Sequence, residues 1–523
     1  MLPEASATLT ERLDRALARP KRSLIVCLAV TALGLALSLA ALRSVPPISP
    51  DSVSYMQGAK SLVAGEGYFS VTGSPLLLFP PGYPLLIAGL IPIAGSPELA
   101  GRIVSILLST ASIPLVYLVV RHFGSRLLGV SAAGLFAILP QRVWQSAMIL
   151  SDASFLFLVL LMLIFAQLWF GRDRLYMAGL AGAAAGAAYL VRPEALGMFL
   201  VVLLVALIAF RFRRRILVGA LIAAILCGTL AWPYVSFIHQ HTGKWQLSTK
   251  AELNWSMAQE MVLGEGFEGK LFEVGEDGSR VALEPVVNPV AVAKRAAYNE
   301  ARMLVHLAKL TTPAPYCLAG LGLLSLLFYE RYSTRTPGAI AVLIVLALPL
   351  IYLSIFHFED RTLIQPTLLV LLLGAAGGLH LIDLFKNHAA RVALLLGAVV
   401  AFSMLAYNVP NLTGPGMDRY APVHEQADWI ARNYPAARGM VGRNWYLAYL
   451  LEIPHHTRPV APLEDIIAYA KHYQADFVVL PKSGGHWTVG QFVNSPEPDA
   501  HLVQVKEWGG TVLCEVRSVP IGQ

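Results

Sequence analysis

Four short groups of ionisable residues interrupt a mostly apolar chain: Pro-Ile-Ser-Pro-Asp51-Ser, Ser151-Asp152, Arg192-Pro-Glu194 and His357-Phe-Glu359-Asp360-Arg361. A carboxylate can take the proton of an attacking hydroxyl, and guanidinium groups can neutralise a departing phosphate. Acids mixed with arginines therefore suit displacement at a carbon that carries a phosphate leaving group. The same oxygens could hold a divalent cation, but no DxD or HExxH spacing marks a site, so no metal ligand is assigned and a divalent cation is left open as the one cofactor. Plainer readings stand beside these. Asp152 at a helix start could serve as a cap, Arg192 with Glu194 as an interfacial ion pair, and 357–361 as a solvated turn. Asp51, between prolines and ahead of Val53 to Tyr55, lies in a loop that need not cap a long helix, and is the hardest to dismiss. His455 and His456 read as surface residues and receive no role.

The elements that position these groups follow from composition. Of 523 residues, 14% are charged and 56% hydrophobic, whereas a soluble globular protein is about 25% charged. With a mean hydropathy of +0.59 and apolar runs through the first 410 residues, most of the chain belongs in a bilayer. A soluble enzyme, a disordered chain and a disulfide scaffold are excluded for the whole. Lys and Arg number 40 against 33 acids, but the arginines form short clusters between apolar segments, which reports topology and not nucleic acid. The four cysteines form no CxxC pair and imply neither a metal nor a disulfide framework.

Apolar length places spans at 23–42, 99–120, 127–145, 153–170, 175–191, from 195, 216–235, 315–328, 338–356, 362–382 and 392–407. The first is preceded by five basic residues and is too long for a signal-peptide core, so it reads as an uncleaved helix with the N-terminus in the cytoplasm. The proline-rich stretch 76–94 reads as an interfacial helix, and 175–191, rich in Gly and Ala, as a closely packed one. Each inner loop then carries at least two Lys or Arg, with Arg211, Arg213, Arg214 and Arg215 the strongest cue. The expected fold is a polytopic α-helical membrane protein of about eleven spans. It comprises a cytoplasmic segment 1–22, a membrane domain 23–407 with outer loops 43–98 and 236–312, and an outer α/β domain 408–523. In that tail, 425–433 and 463–473 have helical periodicity, while 476–480, 502–505 and 511–516 read as strands, the last two joined through Gly509-Gly510. No internal repeat of helix pairs is present, which weakens a transporter reading.

On this threading all four ionisable groups face the outer side, at the height of the phosphate of a lipid-linked sugar whose tail stays in the bilayer. Asp51-Ser-Val-Ser-Tyr55 with Gly65-Glu-Gly67-Tyr68, then Pro80-Pro81-Gly82-Tyr83-Pro84-Leu85-Leu86, then Arg102, resembles the GT-C glycosyltransferases. Within them the pattern is most similar to the bacterial protein mannosyltransferase-like and lipid A aminoarabinose transferase-like members of the family 39/83 type. Ser151-Asp152 falls where these have a Thr/Ser-Glu pair. Tyr189-Leu-Val-Arg192-Pro193-Glu194 is similar to their Arg-Pro-Glu turn, and Asp360-Arg361 followed by Pro366 to their Arg-bearing turn. Ala427-Asp-Trp429-Ile430 and Tyr469-Ala-Lys471 with 476–480 resemble their small outer domain.

The resemblance implies an inverting transferase that moves a sugar from a polyprenyl-phosphate donor to a lipid, glycan or protein acceptor at a bacterial cytoplasmic membrane. It implies Asp51 as general base, Asp152 and Glu194 as acids near the acceptor, and Tyr55, Pro81 and Tyr83 along the donor groove. The aminoarabinose transferases carry a Lys where this chain has Phe79, so the phosphate falls to Arg192, Arg361, Lys244 or Lys250. His357, Glu359 and Asp360 complete the outer turn. A carrier of lipid-linked saccharides and a catalytically silent scaffold remain alternatives. The carrier is disfavoured by the scarcity of charge at mid-depth in the spans.

Overall fold

The structure, a computed structural model, describes residues 7–44, 47–172, 174–250, 273–275, 277, 279–281, 289–328, 335–356, 358–413, 420–483, 486–494 and 501–517. The chain forms two compact units. One takes Met1–Pro46, Phe79–Ser248 and Lys294–Gly416; the other takes Pro47–Leu78, Thr249–Ala293 and Met417–Gln523.

In the first unit, seven helices among the described residues are long and apolar enough to cross a membrane: Pro20–Arg43, Pro97–Phe123, Asp152–Gly171, Arg214–Thr242, Pro337–Ile355, Asp360–Leu384 and Lys386–Leu412. An eighth crossing is available if Arg126–Ala137 and Pro140–Ala147, bent by 55°, count as one. The expected spans at 175–191, from 195 and at 315–328 coincide with apolar helices Leu175–Tyr189, Ala195–Ala209 and Pro313–Phe328 of 15, 15 and 16 residues. These fall short of the ~20 residues of a full crossing. By length and composition seven or eight helices among the described residues qualify as crossings, so the expected count of about eleven is not confirmed. Proline at the first helical turn and Ser or Thr at the N-cap set several starts, as at Ser96-Pro97 and Thr336-Pro337.

The span expected at 127–145 is broken because Pro140 cannot continue a helix. The carbonyls freed at the break are met by side chains, as a dry environment requires. Arg142 Nη2 donates to Ala137 O at 2.7 Å and Asn408 Nδ2 to Ile138 O at 2.8 Å, while Asn411 Nδ2 adds a donor at 3.1 Å to Pro140 O in the first turn of the next helix. Both asparagines lie on the helix Ala389–Leu412, which runs past the boundary expected at 407. Close packing of the Gly/Ala-rich helix is found as expected: a Cβ on Gly182 would stand 2.1 Å from Ala223 O. The Pro-rich segment forms the helix Gly82–Ala94, and the outer segment expected at 236–312 contains the helix Pro289–Thr311.

In the second unit, Pro50–Val63 is a helix whose N-cap Ser49 and third residue Ser52 cap each other reciprocally. Asp51, expected in a loop, is thus in a helical first turn, because Ser49-Pro50 is a strong start signal. A short antiparallel ladder pairs β1, Glu273–Val274, with β2, Arg280–Val281. The tail carries β3 (Met440–Gly442), β4 (His455–Thr457), β5 (Phe477–Pro481), β6 (Leu502–Trp508) and β7 (Thr511–Val516). They form one mixed sheet in the order β4-β3-β5-β7-β6, with β3 parallel to both β4 and β5 and the other pairs antiparallel. Gly509, at φ +50°, allows the two-residue turn between β6 and β7.

Val441, Ile466, Val478, Leu480 and Val512 lie in the core of this domain. The helices Ala421–Asn433 and Leu463–His472 match the periodicity of the sequence. His455 is fully buried and His456 half-buried; neither is the surface residue expected, because both lie on β4, with His456 stacked on Tyr473 at 4.2 Å.

Candidate active site

In the membrane unit the structure brings Asp152 and Arg192 together. Asp152 opens the helix Asp152–Arg172 and Arg192 ends the turn after Leu175–Tyr189. Arg192 Nη1 stands 3.1 Å from Asp152 Oδ1, with the two side chains 11% and 1% exposed. The angle does not make this ion pair a hydrogen bond, and neither Asp152 oxygen accepts one among the described residues. Asp152 is therefore in the first turn, where the helix dipole favours it, without acting as a hydrogen-bonded cap. Glu194 likewise caps nothing with its side chain, and its Oε2 is buried without a hydrogen bond. Tyr352 lies within electrostatic reach of Glu194, Arg192 and Asp152, and the Arg192 guanidinium sits 5.8 Å from the centre of the Phe155 ring.

The Pro80-Pro81-Gly82-Tyr83 motif docks on this turn. Gly82 N–H donates to Leu190 O at 2.6 Å, and a Cβ on Gly82 would meet that oxygen at 2.5 Å, so only glycine permits the approach. Tyr83 is wholly buried, its hydroxyl 3.1 Å from Gly101 O and 2.8 Å from Ser105 Oγ. It anchors the Pro-rich helix to Pro97–Val120 and offers no groove surface. Pro81 is partly exposed at the start of that helix. Arg102, ion-paired with Glu98 at 3.0 Å, donates to Ala147 O at 2.9 Å and so closes the short helix Pro140–Ala147.

A second cationic group is the turn after Pro337–Ile355. Arg361 Nε donates to Glu359 Oε2 at 2.6 Å, and Asp360 pairs with His306. His357 lies outside the described residues. Lys244 is exposed just beyond the helix Arg214–Thr242, and Tyr189 fixes the segment after it by donating to Leu247 O at 2.7 Å.

The remaining candidates belong to the other unit. Asp51 is half-buried, and Tyr55, one turn on, is buried. Lys250 follows Thr249, whose hydroxyl donates to Leu77 O at 2.7 Å. Within that unit the helix of Asp51 is fastened to the tail by the pair of Lys60 with Glu452, and the segment after it by the backbone N–H of His455, which donates to Val71 O at 3.4 Å.

Several residues escaped the sequence reading. Arg142 is buried and donates to Ser38 Oγ, Ser109 Oγ, Gly34 O and Ala137 O; an arginine inside an expected span was its signal. Arg295, Asn299, Arg302 and His306 recur at helical spacing and make one polar stripe on Pro289–Thr311.

The dolichyl-phosphate-mannose-protein mannosyltransferase family model matches residues 79–236, the stretch that holds the Pro-Pro-Gly-Tyr motif, Asp152, Arg192 and Glu194. No curated protein matches the chain in sequence. Among solved structures it is similar to ArnT from Cupriavidus metallidurans bound to undecaprenyl phosphate, at 14% identity and TM-score 0.61, covering 93% of this chain and 97% of that one. It is similar to the oligosaccharyltransferase AglB from Archaeoglobus fulgidus in complex with an inhibitory peptide and a dolichol-phosphate, at 14% identity and TM-score 0.54 over 87% and 69% of the two chains. It also resembles the arabinofuranosyltransferase AftD from Mycobacteria, at 16% identity and TM-score 0.50 over 93% and 41%. These neighbours are glycosyltransferases, and the chain shares their GT-C fold: it is a multi-pass helical membrane protein with a small C-terminal sheet domain.

Proposed function

We propose that the chain is a glycosyltransferase that moves one sugar from a polyprenyl-phosphate donor to a hydroxyl of a lipid, glycan or protein. The reaction takes place at the outer face of a bacterial cytoplasmic membrane, with the N-terminus inside and the tail domain outside. The observation that carries this reading is the Asp152, Arg192 and Glu194 group. It is charged and largely buried, with three carboxylate oxygens that accept no hydrogen bond among the described residues, in a unit of GT-C fold. Buried acceptors of that kind suit a ligand rich in hydroxyl donors.

Asp51 takes the acceptor hydroxyl's proton as its oxygen attacks the anomeric carbon. The carbon–oxygen bond to the phosphate breaks, the electron pair goes to the phosphate oxygen, and the anomeric configuration inverts. Arg361 and Arg192, with Lys244 and Lys250 as further cations, neutralise the charge that develops on the phosphate. Asp152 and Glu194 orient the acceptor. Pro81, partly exposed, lines the donor groove, while the buried Tyr55 steadies the helix of Asp51 and Tyr83 holds the Pro-rich helix.

Purified protein in lipid nanodiscs, given labelled polyprenyl-phosphate sugars and candidate acceptors, should release free polyprenyl phosphate in step with sugar transfer; a carrier would move the lipid without releasing it. Asp51→Asn should lower turnover by about 10²- to 10⁴-fold, the usual size of a general-base contribution, with the melting temperature unchanged. Wild-type turnover in that variant would remove Asp51 from the mechanism.

A further inference from the structure

The turn that carries Arg361 is held by side chains of two other elements. Gln141 Nε2 donates to Asp360 O at 2.7 Å and Gln145 Nε2 to Arg361 O at 2.9 Å. The two glutamines are four residues apart on Pro140–Ala147, hence on one face, and both are buried. From the helix Pro289–Thr311, Arg295 Nη1 donates to Ile355 O at 3.1 Å, and Asn299 Nδ2 to Ser354 O at 3.0 Å and Phe356 O at 3.1 Å. Farther along the same stripe, the Arg302 guanidinium lies 5.1 Å from the centre of the Phe358 ring, and His306 pairs with Asp360.

A helix that ends leaves its last carbonyls without partners, and at a membrane surface water can meet them. Fixed side-chain donors do something water does not, because they give each carbonyl one position. An arginine has four rotatable bonds, so where its guanidinium goes depends first on where its backbone is held. Removing the donors loosens the backbone without touching the guanidinium itself. Loss of alignment of this kind is a known route to a large loss of function at a distance.

We propose that Gln141 and Gln145 are positioning residues that fix the backbone at Asp360 and Arg361, and so set where the Arg361 guanidinium meets the donor's phosphate. This rests on the role given to Arg361 above. It assigns a function to the short helix after the break in the span: one set of its side chains ties it into the bundle, and another holds the outer turn.

The test uses the full chain in nanodiscs, with Gln141→Leu, Gln145→Leu, the double variant and Arg361→Gln. Amide exchange over 358–363 is read alongside KM for the donor and kcat. Each leucine variant should raise donor KM by about 3- to 10-fold, the size of one lost hydrogen bond, with kcat changed less than about 3-fold. Exchange in the turn should rise in parallel. In the Arg361→Gln background, the same leucines should add less than about 2-fold to KM, since the group they position is gone.

Unchanged exchange in the turn, or leucine effects that multiply fully with Arg361→Gln, would overturn the positioning role. If exchange rises but Arg361→Gln itself leaves donor KM unchanged, the assignment of Arg361 to the phosphate fails and takes the inference with it, while the clamp on the backbone stands. Should the double variant not fold, the single variants give the same two readouts.

Discussion

Asp152 and Arg192 are each costly to bury alone and tolerable together. With side chains 1% and 11% exposed, the pair loses most of its hydration, and its mutual attraction offsets that loss only while both charges are present. Arg192→Ala would leave the buried Asp152 carboxylate without its cation, so it should destabilise by about 3 kcal/mol or more. Asp152→Asn combined with Arg192→Gln removes both charges and keeps the shapes. That double variant should melt within a few degrees of the wild type, yet lose transfer activity. Thermal melting in nanodiscs with a parallel transfer assay checks this, and a double variant as unstable as Arg192→Ala would show that charge pairing is not what holds the site. The sequence made both residues visible as candidates, because ionisable groups in an apolar chain stand out. It did not show their pairing, since Arg192 has Glu194 two positions away and Asp152 some forty residues distant. Adjacency in the chain favoured the nearer carboxylate, whereas packing of two helices decides which one arrives.

Elements were legible where hydropathy alone defines them and illegible where a break is stabilised from a distance. The runs at 99–120, 153–170 and 338–356 are continuous and appear as helices Pro97–Val120, Asp152–Arg172 and Pro337–Ile355. The run at 127–145 is equally apolar, but Pro140 splits it, and the split is acceptable only because Arg142 and Asn408 reach the freed carbonyls of Ala137 and Ile138. Nothing local to 127–145 announces a partner at 408. The helix Pro289–Thr311 was missed for another reason: its polar stripe serves the turn at 354–361, so it reads as hydrophilic loop until the target is known. Asn408 makes a sharp test of the break. Asn408→Leu keeps the volume and leaves Ile138 O unmet in a dry setting, which should cost about 1–3 kcal/mol. Arg142→Met leaves Ala137 O, Gly34 O and two hydroxyls short at once, so its loss should be clearly larger. An Arg142→Met protein that melts with the wild type would mean that water or backbone relaxation satisfies the break instead.

At the scale of the whole molecule the chain does not run through one unit and then the other. The second unit draws on Pro47–Leu78, Thr249–Ala293 and Met417–Gln523, so the helix that carries Asp51 folds with the tail and not with the span that precedes it. The sequence showed a change of character near residue 408, because hydropathy falls there. It gave no sign that 47–78 shares a unit with the tail, since that contact is made by backbone, as in His455 to Val71, and by single pairs such as Lys60 with Glu452. A consequence is that acid should weaken the unit of the candidate base. His455 is fully buried on the edge strand β4, and both ring nitrogens are without a hydrogen bond among the described residues. Burial, with His456 beside it, pushes its pKa down to about 3. His456 is also lowered, by burial and then by His472, while Trp445 and Tyr473 cover the two rings. An unfolded histidine takes a proton near pH 6.5. Between about 6.5 and 3 the unfolded state thus binds more protons, and stability is lost as pH falls through that window, with no contribution from His455 above it. His455 alone should cost the second unit about 3 kcal/mol between pH 6.5 and pH 4, at 1.36 kcal/mol per pH unit. Proteolysis of the tail in the full-length protein, followed across this range, should accelerate as pH drops, and His455→Phe should remove most of the acceleration once each protease's own pH dependence is subtracted. A His455→Phe chain that remains as acid-sensitive as the wild type would place the sensitivity in the carboxylates of the unit and not in its buried histidine.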